Sequence, residues 1–261
     1  MKCREVIQCL EKLAPSFLAE SWDNVGLLVG REDKEVERIL LALDPSGEVI
    51  EQADSMQADM LITHHPLIFS GMKSVTTKEF IGKRVYQLIR QDIAYYAMHT
   101  NFDVMGMADA VADQLELKNR QVLEVTFQED AAVEGIGRVG NLPRRMSLKE
   151  CADYIKQQCK LPSVRVFGSF EKPVWRVALV PGSGKSFIKQ ALAQGAEVLI
   201  TGDIGHHDGL DALEQGLAVI DAGHYGLEKI FSFYMEEVLR KELLGVTIHI
   251  AREEAPFQTI C

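Results

Sequence analysis

Short apolar runs alternate with stretches of helical periodicity along the first half of the chain. The runs RILLALD, ADMLIT and IAYYAM occupy residues 38–44, 58–63 and 93–98, and helical spacing is found between them over residues 49–56 and 79–90. Strands of continuous apolar sequence are typical of a parallel sheet that helices cover on both faces. The pattern therefore predicts βαβ units.

The same alternation returns after a glycine-containing extended region at residues 121–143 and a helix at residues 147–158. The further predicted strands are residues 164–168, 175–180, 196–201, 218–221 and 246–251, and the further predicted helices are residues 108–117, 187–194, 208–215 and 227–244. We predict an α/β fold with mainly parallel sheets. Its first lobe is expected at residues 1–125 and its second at residues 126–261, with the last strand able to pair with the first lobe.

Two segments of the chain resemble each other. ADMLITHH at residues 58–65 matches AEVLITGD at residues 196–203, and each follows a strand, a tight turn and a helix. After one more helix, each is followed by an apolar strand that leads to a histidine, His99 or His224. This indicates a weak internal duplication. The alternative is that short βαβ pieces resemble one another because they share the same periodicity.

Composition and charge exclude several classes of protein. Apolar residues make up 47% and charged residues 25%, which excludes disordered and collagen-like chains. The net charge of −10 argues against a nucleic-acid binder, which usually has a basic face. The longest stretch without Asp, Glu, Lys or Arg, residues 60–72, is too short for a membrane helix of roughly 20 residues. We expect no nucleic-acid partner and no membrane association.

The first 17 residues carry charges throughout, so they do not form a signal peptide. They predict an amphipathic helix whose apolar face contains Val6, Ile7, Leu10, Leu13 and Phe17.

The cysteine count is odd and includes no CxxC pair, which argues against a disulfide scaffold or a structural zinc finger. The cysteines are Cys3, Cys9, Cys151, Cys159 and Cys261. We expect a reducing, cytoplasmic location.

Candidate chemistry collects where the predicted strands end, which is where α/β sheets bind ligands. His64 and His65 are adjacent, and at a strand terminus each can serve a different ion of a pair. His224 and Glu228 stand four positions apart, so both can face one centre from a first helical turn. Imidazole and carboxylate without thiolate suit zinc, iron or manganese. A lone histidine more often fills a core or holds a loop, but this grouping together with Asp103 favours metal ligands.

Five segments together resemble one known family. They are SWDNVGLLVG, LITHHPLIF, HTNFD, TGDIGHHDGLDA and DAGHYGLE, at residues 21–30, 61–69, 99–103, 201–212 and 221–228. Each is moderately specific alone, but five in this order resemble the dinuclear-metal family named GTP cyclohydrolase I type 2, also called Ngg-interacting-factor-three-like. The resemblance extends from residue 21 to the last strand. The chain resembles the compact form without an inserted domain.

The resemblance implies two divalent metal ions per chain, with Glu228 as the ligand that bridges them. The implied ligands are His64, His65, Asp103, His224 and Glu228. It also implies two interlocked α/β lobes and a ring-shaped homohexamer built as a trimer of dimers. The chain departs from the family pattern at Phe102, where leucine is commoner, and at GLE after Tyr225, where ATE is commoner. Neither departure removes a ligand, and either could alter substrate fit.

The implied activity is that of a metal-dependent hydrolase that opens a guanine-type ring in a small-molecule substrate such as a nucleotide. Two other functions stay open: a non-enzymatic metal carrier or regulatory interaction protein, and a phosphoesterase. Candidate catalytic acid/base residues are His99, His206 and His207. Their alternative role is to hydrogen-bond metal-binding carboxylates and orient them. Asp23 and Asn24 either line the pocket or form a cap or turn.

PGSGKS at residues 181–186 follows a predicted strand and precedes a helix, as a phosphate loop does. Its spacing departs from that motif because Leu179 stands where the first glycine is required. We interpret the segment as a glycine-containing strand-to-helix turn. Anion binding by Lys185 and free N–H groups is the alternative.

Overall fold

The apolar runs form strands and the periodic stretches form helices over the residues that the computed structural model describes, namely 1–129, 132–258 and 260. Residues 1–102 contain α1 (Cys3–Leu13), β1 (Gly26–Val29), β2 (Arg38–Ala42), α2 (Gly47–Ser55), β3 (Met60–Thr63), α3 (Phe80–Arg90), β4 (Ala94–Ala97) and α4 (Thr100–Phe102). The segment 103–230 contains α5 (Ala108–Gln114), β5 (Lys118–Glu129), β6 (Ala132–Ser147), α6 (Leu148–Gln158), β7 (Arg165–Phe167), β8 (Pro173–Ser183), α7 (Ile188–Ala193), β9 (Val198–Gly202), α8 (His206–Glu214), β10 (Ala218–Asp221) and α9 (His224–Glu228). The last elements are α10 (Ile230–Glu242) and β11 (Thr247–Ile250).

Two predicted features touch residues outside the described ranges: the extended region at 121–143, which includes residues 130 and 131, and Cys261. The other four cysteines are free thiols. None of the described helices has both the length and the apolar character that crossing a bilayer requires.

The chain divides into two compact units. The first unit consists of Met1–Phe102 and Phe231–Glu254, and the second consists of Asp103–Ile230 and a short segment from Ala255. This division differs from the expected boundary after residue 125, because that position lies inside the continuous strand β5, which pairs with β6 along most of its length.

The sheet of the first unit is mainly parallel, as predicted. Its strand order is β1-β4-β3-β2-β11, and β1 is its one antiparallel member. The strands β2, β3 and β4 are almost entirely buried, which accounts for their continuous apolar sequence. The last strand, β11, pairs with β2, so the end of the chain completes this sheet.

The sheet of the second unit is mixed. Its order is β5-β6-β8-β9-β10-β7; β8, β9 and β10 run parallel, whereas β5, β6 and β7 pair antiparallel to their neighbours. The prediction of an α/β fold with two sheets is confirmed. The parallel arrangement holds for the first sheet and for the centre of the second.

The internal duplication is visible in the wiring of the two units. In each unit three consecutive strands, β2-β3-β4 or β8-β9-β10, lie side by side in parallel, and an earlier short strand pairs antiparallel with the last of them. The carboxylate of Asp59 accepts hydrogen bonds of 2.9 and 3.0 Å from two N–H groups at the start of β2. Glu197, 138 positions later, accepts bonds of 2.6 and 3.0 Å in β8. Shared periodicity alone does not account for this repeated contact.

The largest differences in helix extent from the pattern occur in two predicted helices. Helix α1 ends at Leu13, so Phe17 lies outside it and is exposed. Pro15 explains this end, because a proline disfavours the helical conformation of the residue before it, here Ala14. The long helix expected at residues 227–244 is divided at Lys229 into α9 and α10.

We predict that Gly30→Ala lowers the free energy of unfolding by about 1–3 kcal/mol. Gly30 follows β1 with φ +113°, and an added Cβ would lie 2.9 Å from the Cα of Ala94 in β4. Gly47→Ala is the matched control, because nothing lies within 4 Å of its Cβ position and its φ is ordinary. We expect that control to change stability by less than about 1 kcal/mol. Equal shifts in the melting temperatures of the two variants would contradict the prediction.

Candidate functional site

The carboxyl end of β3 places two histidines on a turn that hydroxyl groups hold in shape. Thr63 Oγ1 and Tyr95 Oη lie 2.7 and 3.0 Å from the carbonyl oxygen of His65, and the N–H of Leu67 donates to Tyr95 Oη at 2.8 Å. His64 is fully buried, and its ring packs against Phe231 with 5.4 Å between ring centroids. The turn removes the strand alternation that would send the two imidazoles to opposite faces.

Three imidazoles of the first unit lie together: His64, His65 and His99. Their ring centroids are 4.9 to 5.6 Å apart, and one nitrogen of each ring lies within 4.8 Å of the others. Each Nδ1 contacts an oxygen that can only accept, at 2.8, 2.8 and 2.9 Å: Met98 O, Asp44 Oδ1 and Asp23 Oδ1. Nδ1 therefore carries the proton in each neutral ring, and Nε2 carries the lone pair that can bind a metal ion.

Asp23 orients His99 from a position without solvent exposure. Its carboxylate accepts hydrogen bonds from His99 Nδ1 and from both the N–H and the hydroxyl of Thr100. Burial acts to raise the pKa of Asp23, but these hydrogen bonds outweigh it and hold that pKa well below its usual range. Asp23 is therefore ionised. Its bonds to the N–H groups of Asn24 and of Thr100, the first residue of α4, agree with the alternative of a cap or turn rather than of an exposed wall.

The second unit brings His224 and Glu228 together at the end of β10. His224 Nε2 lies 2.8 Å from Glu228 Oε2, and His224 Nδ1 lies 2.7 Å from Asp203 Oδ2. A carboxylate oxygen of Asp103 lies within 4.8 Å of one of Glu228. Glu228 is buried, with 4% of its side chain exposed. A positive charge between carboxylates so placed, such as an imidazolium or a metal ion, stabilises them.

Glycines allow the backbone to approach this acidic group closely. Gly182 has φ +73°, and an added Cβ would lie 2.4 Å from Glu228 Oε1. At Gly202 an added Cβ would lie 2.4 Å from the backbone nitrogen of His224. The PGSGKS segment, which contains Gly182, forms the end of β8 and a short 3-10 turn. This agrees with its interpretation as a strand-to-helix turn.

Sequence reasoning assigned no role to four residues that shape these groups: Asp44, Gly182, Gly202 and Asp203. The two aspartates orient His65 and His224 through Nδ1, and the two glycines make room for Glu228 and His224. Asp203 has φ +58°, a conformation that is uncommon outside glycine. The signal available in the sequence was the position of each residue directly after a predicted strand or within a GxG pair.

The three acid/base candidates lie in different surroundings. His99 belongs to the imidazole group of the first unit. His206 and His207 begin α8, are exposed, and contact each other with ring centroids 5.1 Å apart. Within the described residues, neither belongs to a group of converging ligand atoms.

The donor atoms fit a divalent metal. The first group offers imidazole nitrogens and the second offers an imidazole nitrogen and carboxylate oxygens, and no described cysteine takes part in either. Such ligands suit zinc, iron and manganese. Each imidazole is also oriented by an oxygen acceptor, as histidines in metal sites usually are.

Comparison with known proteins gives one consistent result. The family described as Duf34/NIF3 (NGG1p interacting factor 3) matches residues 1–256. Relatives from Clostridium perfringens and Clostridium acetobutylicum, both named GTP cyclohydrolase 1 type 2 homolog, are 35% and 37% identical. They cover 100% and 97% of this chain and 100% and 96% of their own lengths. The crystal structure of a Bacillus cereus protein related to NIF3 is similar with a TM-score of 0.91 at 26% identity, covering 100% of this chain and 99% of that one.

We predict that Asp23→Asn destabilises the protein by about 1–3 kcal/mol, because an amide cannot accept all the hydrogen bonds that the carboxylate accepts. Asp33→Asn is the matched control, since Asp33 is an exposed residue paired with Arg31 and should cost less than about 1 kcal/mol. Thermal unfolding of both variants measures the difference. If Asp23→Asn costs no more than Asp33→Asn, the buried hydrogen bonds of Asp23 do not stabilise the fold.

Proposed function

Because the chain belongs to the Duf34/NIF3 (NGG1p interacting factor 3) family, we propose that it binds two divalent metal ions and acts as a metal-dependent hydrolase. The ligands in this proposal are His64, His65, Asp103, His224 and Glu228. The substrate class, a guanine-type ring in a small molecule, comes from the name of the two clostridial relatives. The family membership itself confirms the resemblance seen in the sequence.

The buried acidic group at Glu228 carries this proposal. Its carboxylate faces His224 Nε2 at 2.8 Å, and an oxygen of Asp103 lies within 4.8 Å of it. Asp203 adds a third carboxylate, because its Oδ2 lies 2.7 Å from His224 Nδ1. A divalent cation satisfies this charge at lower cost than protonation of buried acids at neutral pH. Glu228 is the bridging ligand in this proposal.

The imidazole group of the first unit supplies the remaining ligands. His64 and His65 each have Nδ1 fixed by an oxygen acceptor, so that Nε2 is the ligating atom. The adjacent pair allows one imidazole for each ion. The donor set contains no thiolate and leaves zinc, iron and manganese as candidates.

Divalent ions held by these ligands would supply activation of a water molecule and stabilisation of negative charge on oxygen. His99 then serves as the proton-transfer residue. Its Nδ1 proton is held by the ionised Asp23, so Nε2 is the atom that accepts and returns a proton. His206 and His207 are assigned no step, since both are exposed on the first turn of α8.

We predict about two metal ions per chain by elemental analysis of untreated protein. Glu228→Ala should remove most of both ions because a bridging ligand contacts each, and His65→Ala should reduce the content of at least one. Glu236→Ala is the control: Glu236 is a carboxylate on α10 that pairs with Arg240 at the surface. Full occupancy in Glu228→Ala would contradict the bridging role.

We predict formate release from GTP by the metal-loaded protein and a loss of at least about 100-fold in His64→Ala, since removal of a key electrostatic contact costs this much in comparable sites. Formate is measured directly, and the metal content of each sample is measured alongside. Bound metal without formate release, together with ready transfer of that metal to an acceptor, would instead support a metal carrier. Cleavage of a phosphodiester panel would support a phosphoesterase.

A further inference from the structure

Two large aromatic side chains are exposed beside the imidazole group of the first unit. Trp22 is 56% exposed and Phe69 is 52% exposed, and their ring centroids are 5.7 Å apart. The centroid of the His99 ring lies 6.0 Å from Trp22 and 6.4 Å from Phe69. The three rings therefore form one contiguous aromatic surface at the residue that we assign to proton transfer.

The loops that carry these rings are anchored. Asp23, next to Trp22, holds His99 and Thr100 through its buried carboxylate. Asn24 donates from Nδ2 to the carbonyl oxygen of Ile68 at 2.6 Å, which joins the Trp22 loop to the Phe69 loop. The WDN residues of the SWDNVGLLVG segment thus have separate roles: one exposed ring and two anchors. Such anchoring limits the entropy that would be lost when a ligand binds.

The geometry of the rings favours a flat ligand. Trp22 and Phe69 are inclined at 42°, and the His99 ring meets both nearly edge-on, at 75° and 66°. None of the three pairs is stacked in parallel, so exposed ring surface is left for a further aromatic ring. Asp23, which follows Trp22 in the sequence, has an unexposed side chain that is already bonded to His99, so the surface offers apolar ring area and no exposed charge from that residue. This chemistry suits a neutral heteroaromatic ring better than a phosphate.

We propose that Trp22 and Phe69 bind the heteroaromatic base of the substrate by stacking and hold it next to His99 Nε2. This inference rests on the proposed function, because it gives the ring to be opened a position at the metal-binding imidazoles. It assigns specificity for a planar base to two residues that bind no metal.

The chain offers a matched pair of fluorescence reporters, because it contains two tryptophans, Trp22 and Trp175. Trp175 lies in β8 of the second unit, where the guanidinium of Arg145 stands over its ring at 5.5 Å. Trp175→Phe leaves Trp22 as the single reporter, and Trp22→Phe leaves Trp175. Guanosine is titrated into each metal-loaded variant. We expect saturable quenching of the tryptophan fluorescence of Trp175→Phe. In Trp22→Phe we expect no loss of fluorescence beyond that caused by absorption of light by guanosine.

Affinity provides the second arm of the test. Trp22→Ala and Phe69→Ala should each raise the dissociation constant for guanosine about tenfold or more, with metal content unchanged. Trp175→Ala should leave both quantities unchanged. Ribose, which lacks the base, should produce no quenching.

Several results would overturn the inference. Equal quenching of both reporters, or an unchanged guanosine affinity in Trp22→Ala, would exclude stacking at Trp22. A Trp22→Ala variant that binds guanosine normally but loses oligomeric mass in light scattering would show that a second copy of the chain covers the surface instead. Failure of the proposed function would give a different result. Bound metal or formate release would be missing, while guanosine would still quench the fluorescence of Trp22.

Discussion

Carboxylates shielded from water impose the main physical constraint on this protein, because each such charge must be offset nearby. Asp23 and Glu228 meet the constraint in different ways. Asp23 is stabilised as a carboxylate within its own unit by hydrogen bonds from His99 and from the two donors of Thr100. Glu228 lies 2.8 Å from His224 and within 4.8 Å of a second acid, Asp103. The first arrangement orients a histidine, whereas the second groups carboxylate oxygens that suit a divalent ion.

The duplicated fold explains why such groups occur in both units. In each set of three parallel strands, the loop that follows the middle strand lies at the carboxyl edge of the sheet. After β3 that loop carries His64 and His65, and the positions that match them after β9 are Gly202 and Asp203. A side chain at position 202 would collide with the backbone of His224. The two units therefore share wiring but provide different donors, mainly imidazole in the first and mainly carboxylate in the second.

The two departures from the family pattern are adjustments of packing. Phe102 is buried, and its ring lies 5.3 Å from Phe231, which in turn contacts His64. It supports the imidazole from within the core. At Gly226 a Cβ would lie 2.9 Å from a methyl group of Leu161. The two positions therefore shape local packing, and the exposed aromatic surface at Trp22 and Phe69 is where the substrate base is proposed to bind.

Much of the fold could be predicted from sequence because it depends on local pattern. Strand β10 was predicted at its observed bounds, and the strands of both parallel sets were found from apolar runs that reflect burial on two faces. The sheet position of β1 and the division of the chain near residue 102 could not be read in this way. These features depend on contacts between segments that are distant in sequence, which leave no periodic signal in either segment.

The same distinction applies to the candidate site. The amino-acid sequence alone determined which side chains can donate to a metal, because residue type and family motif fix that chemistry. Tertiary structure decided how those side chains are oriented: Asp44 reaches His65 across 21 positions, Asp23 reaches His99 across 76, and Gly182 makes room for Glu228. The physical reason is that hydrogen bonds and steric clearance depend on distance in space. Within each unit, folding brings together residues that are far apart in the sequence.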